Sequence, residues 1–409
     1  MKPAPDFDVL IIGGGLAGAA AALAVASTGL EVALFDAAPA QDELEPYDGR
    51  AYSVPAGSRR FWEAVGVWER IAGEAQEISD ILVSDGRVGE GASPLFLRFD
   101  HREPESGGFG RMIEDRHLRT AAFEKLAETP GARIRHGVRV SGSRVEPGRT
   151  VATLANGEEV FARLIVAADG RESPLRAAAG IERVNWAYGQ NGMVSAVAHE
   201  RPHHGVAHEL FLPAGPFAIL PLKRNRSSLV WTESAAEAAR IHALPDDLYL
   251  AELETRFGDF LGALSLEGKR WTYPLHFSLA HEYVAPRLAL LGDAAHAVHP
   301  IAGQGLNLGV RDAAALAEVL AGAMRRGEDI GDIAVLRRYE QWRRFDSAAL
   351  GLSMDALNRL FSNDIGPLRA LRDLGLGMVN NTPGLRRAFM RAASGLSGEV
   401  PKLMRGEAI

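Results

Sequence analysis

The sequence predicts an α/β fold in which a Rossmann-like domain is interleaved with a mostly antiparallel β-sheet domain and followed by C-terminal helices. Three observations predict it. A β-branched run, Asp8-Val9-Leu10-Ile11-Ile12, leads into Gly13-Gly14-Gly15-Leu16-Ala17-Gly18 and an alanine-rich segment. Short alternating stretches bounded by turn residues fill Ile78 to Phe99 and Asn191 to about Pro286. After Gly292 the pattern becomes helical.

Residues 8–12 read as a buried strand, 16–28 as a helix and 31–35 as a second strand ending at Asp36, which together make a βαβ unit. Gly13, Gly15 and Gly18 match G-x-G-x-x-G. The first allows a tight turn, the second lets backbone approach a phosphate, and the third lets helix and strand pack closely. The amides of Leu16 and Ala17 open the helix, where its dipole favours an anion. Asp36 can accept hydrogen bonds from a ribose. The unit therefore predicts a bound dinucleotide, without separating FAD from NAD.

A helix over 115–128 and strands over 134–144 and 164–168 return to the first texture. The expected division is a discontinuous nucleotide-binding domain over 1–77, 100–190 and 286–340, a sheet domain over 78–99 and 191–285 that holds substrate, and a helical region over 341–409. Gly366-Pro367 and Thr382-Pro383-Gly384 break the last.

The chain has 409 residues, 47% hydrophobic and 24% charged, as in ordinary globular proteins. Its 45 basic and 52 acidic residues give a net charge of -7, which argues against nucleic acid as a partner. Cysteine is absent, so disulfides, thiolate nucleophiles and cysteine metal sites are excluded. The 12 histidines are scattered, and no metal site is expected. The apolar run from Val9 to Leu34 is broken by glycines and reads as strand, turn and helix rather than a leader. A cytoplasmic protein is expected.

Two later segments extend the ligand. Leu164 to Ala168 runs as a strand into Asp169-Gly170, which sets Asp169 at a strand's carboxyl end. Leu288 to Leu291 runs into Gly292-Asp293, and Pro300-Ile301-Ala302-Gly303-Gln304-Gly305-Leu306-Asn307 opens a helix. Asp293 can bond a ribityl chain. Amides bared at Gly303 and Gly305 would favour negative charge on the pyrimidine edge of a reduced isoalloxazine. One long ligand held at both ends is the economical reading, and FAD is such a ligand.

Gly292-Asp293-Ala294-Ala295-His296, followed by His299 through Gly309 and Arg311-Asp312, resembles the signature of the ubiquinone-biosynthesis FAD-dependent hydroxylases, within the flavoprotein aromatic monooxygenases related to para-hydroxybenzoate hydroxylase. Asp48-Gly49-Arg50-Ala51-Tyr52-Ser53 resembles the family's flavin-contacting arginine segment, and Ile113-Glu114-Asp115-Arg116 its helix entry. The resemblance spans essentially the whole chain. It departs at Asp36, where glutamate is common, at Ala167 (glycine), at Tyr52 (leucine) and at Asp115 (asparagine).

The resemblance implies that NAD(P)H, a transient co-substrate, reduces FAD, that O2 adds to give a flavin C4a-hydroperoxide, and that an electron-rich phenol takes the distal oxygen. Arg50 and Arg116 then join the cofactor contacts. Pro300, Gly303, Gln304 and Gly305 form the catalytic loop, with His299 either an acid–base group or a loop-shaping hydrogen bonder. Phe211, Phe217, Leu220 and Pro221 are the candidate apolar wall for a polyprenylated phenolic substrate. Arg386, Arg387 and Arg391, set among Leu385, Phe389 and Met390, offer a basic amphipathic surface to a membrane or a biosynthetic complex. The alternatives are a monooxygenase of another aromatic, a flavin-dependent prenyl reductase, or an inactive nucleotide-binding subunit.

Overall fold

The computed structural model describes residues 5–40, 47–89, 91–100, 109–364, 372, 375, 378–380, 382, 384 and 394–409. The basic surface expected at Arg386, Arg387 and Arg391 lies outside the described residues.

The first sheet runs, edge to edge, Val284–Ala285, Leu288–Leu290, Glu159–Ala167, Phe7–Ile12, Val32–Phe35 and Ala132–Arg135. From Leu288–Leu290 onward these neighbours are parallel. Arg149–Leu154 adds antiparallel to Glu159–Ala167, with Val140–Glu146 beyond it. Both faces of the parallel strands are covered, so Val9, Leu10 and Ile11 are fully buried and need no polar alternation. The helix Leu16–Ala26 is buried on nearly every side. Its run of alanines lets it fit between the sheet and the long helix Gln304–Arg325.

The second sheet runs His296–Ala297, Leu264–Ala280, Arg183–His199, Arg226–Ser234, Gly215–Leu222, Val206–Leu212, Asp80–Arg87 and Gly91–Asp100. All its pairings are antiparallel except that of Val206–Leu212 with Asp80–Arg87. A small third sheet joins Ala51–Val54, Arg111–Glu114 and Gln76–Glu77. Three of the expected boundaries cut single elements, the one at 99–100 taking the last residue from the strand Gly91–Asp100. The strand Arg183–His199 runs through 190–191, where Gln190 and Asn191 stay paired with Ser234 and Glu233, and the helix Ile333–Phe361 runs through 340–341, between the buried Tyr339 and Arg343. Among the described residues no helix is long and apolar enough to cross a membrane.

Candidate active site

The register of the first sheet brings the three motif turns to one edge. Ile12 pairs with Ala167, and Ala167 with Leu290, so the turns that follow leave the sheet side by side at its carboxyl end. Ligands of open parallel sheets bind at that edge.

The first turn is tight where it packs and open where it faces out. Gly13 has φ +112°, and a Cβ there would stand 2.2 Å from the Ala168 carbonyl oxygen. A Cβ on Gly18 would meet the Gly13 carbonyl at 2.0 Å, and one on Gly14 would meet Asp36 Oδ2 at 2.2 Å. A Cβ on Gly15 meets nothing within 4 Å. Gly15 caps the helix, so the amides of Leu16, Ala17 and Gly18 have no partner inside it.

The late loop has the same character. Gly303 caps Gln304–Arg325 in the left-handed region (φ 61°, ψ 34°), and Gly305 has open space at its Cβ position. Asn307 Nδ2 donates to the Ser53 carbonyl at 2.9 Å and to the Gly303 carbonyl at 3.1 Å, which ties this loop to the strand after Arg50. A Cβ on Gly309 would stand 2.9 Å from the Ala17 Cβ, so the two helices that start at the two glycine loops touch directly.

Asp312, fully buried, anchors the turn between them. Its Oδ2 accepts from the Gly292 amide at 3.1 Å and from His296 Nε2 at 2.6 Å, and its Oδ1 accepts from Arg343 Nε at 2.8 Å. Burial alone would raise this carboxyl; His296 and Arg343 overcome it and hold the pKa below the ordinary value. Asp293 is open to solvent yet crowded by protein, as a group on the floor of a cleft is. Crowding pushes its carboxyl up.

Several buried polar atoms at this edge have no protein partner: Asp169 Oδ1, Asn307 Oδ1 and both ring nitrogens of His299. Such atoms call for a ligand or water. Burial lowers the His299 pKa to about 4, against a weaker opposing pull from Asp355, so its ring is neutral near pH 7. The Tyr188 ring meets it edge-on at 5.1 Å. Two amide-bearing helix starts, carboxylates between them, and unpartnered acceptors beside the late loop fit the pyrophosphate, ribose and ring of FAD.

A family model described as an FAD binding domain matches residues 6–349. The chain is 46% identical to ubiquinone hydroxylase UbiL of Rhodospirillum rubrum, over 98% of this chain and 92% of that one. It is 34% identical to the 3-demethoxyubiquinol 3-hydroxylase of Escherichia coli, over 95% and 98%. The chain belongs to the FAD-dependent hydroxylases of ubiquinone biosynthesis. Human ubiquinone biosynthesis monooxygenase COQ6 is 31% identical, over 95% of this chain and 92% of that one. The fold is also that of p-nitrophenol 4-monooxygenase PnpA from Pseudomonas putida, with a TM-score of 0.78 at 19% identity, over 96% and 98% of the two chains.

In this hydroxylase the second sheet turns one face to the late loop. Phe211 packs there with Ile301, Leu97 and Phe361, and Leu220 lies against the neighbouring cluster of Ile78, Phe109 and Met112. Phe217 is not brought to that face. It sits on the other side with Met193, Trp231, Tyr249 and Leu253, under the helices Ala235–His242 and Asp246–Phe257. Strand alternation decides this, because Phe211 pairs with Pro216, and it turns Pro221 away with Phe217.

Arg50 donates from Nε to Asp48 at 2.7 Å and from Nη2 to Asp115 at 3.3 Å, and its guanidinium lies over the Trp271 ring. Arg116 donates to Glu114 at 2.8 Å, and among the described residues no hydrogen bond joins it to the glycine turn. Arg119 reaches that turn instead, donating to the Gly14 carbonyl at 3.3 Å and pairing with Asp115. Sequence reasoning missed Arg119 and the Asp312 hub. The i, i+4 spacing of Asp115 and Arg119 was the available signal for the first.

Proposed function

We propose that the protein hydroxylates the aromatic ring of a phenolic, polyprenylated ubiquinone precursor, using NAD(P)H as reductant and one oxygen atom of O2. The observation that carries the reading is the second bared helix start at Gly303–Gly305, tied to Ser53 and opposite the apolar face that includes Phe211. Adenosine binding alone has no use for it. The names of the relatives support the substrate class.

Bound FAD would supply two-electron reduction and oxygen activation. The amides of Leu16, Ala17 and Gly18 would hold its pyrophosphate, with Asp36 on the adenosine ribose and Asp293 on the ribityl chain. Arg50 and Asp169 flank that path. Amides at Gly303 and Gly305, with Leu306 and Asn307 behind them, would sit under the pyrimidine edge. The positive end of a 22-residue helix there favours the negative charge of a reduced ring. Pro300, Ile301 and Phe211 keep water from the reacting ring. His299, being neutral, serves as a hydrogen-bonding partner rather than a cation. Only one full G-x-G-x-x-G loop is present, which supports transient docking of the nicotinamide.

The test is incubation of the FAD-loaded protein with a short-chain 2-polyprenylphenol, NADPH and isotopically heavy dioxygen. The reading predicts one heavy oxygen in a new ring hydroxyl. Saturation of a prenyl alkene without oxygen uptake would replace it with a reductase.

A further inference from the structure

Glu209 lies on the strand Val206–Leu212, opposite Ala218 on one side and Val83 on the other. Alternation turns it to the face of Ala207 and Phe211, the face that meets Ile301 of the late loop. Across that row the paired positions continue through Val230 and Val194, so the carboxyl stands in an apolar floor. It keeps some solvent exposure although protein crowds it closely, and among the described residues it has neither hydrogen bond nor ion pair.

The other charged groups on this side have partners of their own: Arg226 pairs with Glu114 and Glu267, and Arg50 with Asp48 and Asp115. Asp85, opposite Phe211, is paired with Arg372 at 2.8 Å. Asp355 accepts from Trp186 and Arg359, and His299 is neutral. None of them moves the Glu209 carboxyl, which burial alone raises to about 7. An isolated carboxyl in an apolar floor destabilises the fold unless a ligand pairs with it. A phenol hydroxyl is a donor of the required kind.

We propose that Glu209 receives the hydroxyl of the phenolic substrate and accepts its proton, fixing which edge of the ring faces the late loop. The proposal rests on the phenol-hydroxylase reading above. The phenol O–H bond breaks, the carboxylate becomes a neutral acid, and the negative charge passes to the ring oxygen, which activates the ring carbons ortho and para to it. A base that titrates near neutral pH is matched to that transfer.

The test compares FAD-loaded parent, Glu209→Gln and Glu209→Asp in binding 2-prenylphenol and prenylbenzene, followed by the flavin absorbance change at pH 8. The parent should prefer the phenol by about ten- to a hundredfold, the range of a charge-assisted hydrogen bond. Glu209→Gln should lose most of that preference, and Glu209→Asp should keep part of it. The parent preference should also grow as pH rises through about 7 and not in Glu209→Gln. A cofactor-free readout accompanies it. The folded-state pKa is raised from 4.5, so the parent should lose stability relative to Glu209→Gln as pH rises from 4.5 through about 7. An unchanged preference in Glu209→Gln, or a parent that binds both compounds equally, overturns the role of Glu209 and leaves the hydroxylase reading standing. A parent whose flavin responds to neither compound overturns both.

Discussion

The Tyr52 hydroxyl donates to Asp115 Oδ1 at 3.0 Å, so two positions at which this chain departs from its family's pattern are partners of one another. Asp115 is nearly buried and also holds Arg50 and Arg119. Tyr52→Leu removes one donor from a buried carboxylate and should cost about 1–3 kcal/mol in urea unfolding. The double variant with Asp115→Asn should fall short of the summed costs by about 0.5 kcal/mol or more. Strict additivity would show that the two departures are independent.

Gly15→Val and Gly305→Val separate ligand effects from folding, because a side chain at either position projects into open space. Both variants should unfold within about 0.5 kcal/mol of the parent, the usual range for surface changes. Gly15→Val should abolish flavin retention on gel filtration. Gly305→Val should keep the adenosine end bound but lose coupled turnover. Equal flavin content in Gly15→Val and parent would remove the pyrophosphate assignment.

Asp312 should govern acid stability. Its folded pKa lies below the ordinary 3.8, so the stability it contributes is present above that value and is lost as pH falls through the lower one. Asp312→Ala strands Arg343 and His296 in the core and should cost about 3–5 kcal/mol near pH 7. The deficit should shrink on acidification below about pH 4, followed by circular dichroism. A deficit that stays constant to pH 2 would contradict the pairing.

His299 should show the reverse of a functional cation. With its pKa depressed from 6.5 to about 4, its contribution to stability is present above pH 6.5 and is lost as pH falls through about 4. His299→Phe should therefore gain on the parent in melting temperature between pH 8 and pH 5. It should leave any limb of the pH–rate profile near 7 in place. A limb that disappears in this variant would make His299 the titrating group.

The sequence carried the parallel sheet and its motif turns clearly because glycine spacing, β-branched runs and helix starts are local signals. The helix Asp115–Glu128 begins and ends where its composition says. Relations made across the fold were harder to read. Phe211 and Phe217 both look like pocket residues in an apolar segment, and only the pairing of Phe211 with Pro216 puts them on opposite faces. The Ala17–Gly309 contact and the Asp312 hub join segments far apart in the chain, and no local pattern announces either. Glu209 looks like an ordinary solvated strand residue until the sheet and the late loop are set face to face.

The central claim is that one extended cofactor bridges the two glycine-bared helix starts. A crystal structure of the FAD-loaded protein tests it most directly. The account predicts the pyrophosphate against Gly15 and the tricyclic ring beside Pro300–Asn307, under the face that carries Phe211 and Glu209. A ring bound anywhere else would contradict it.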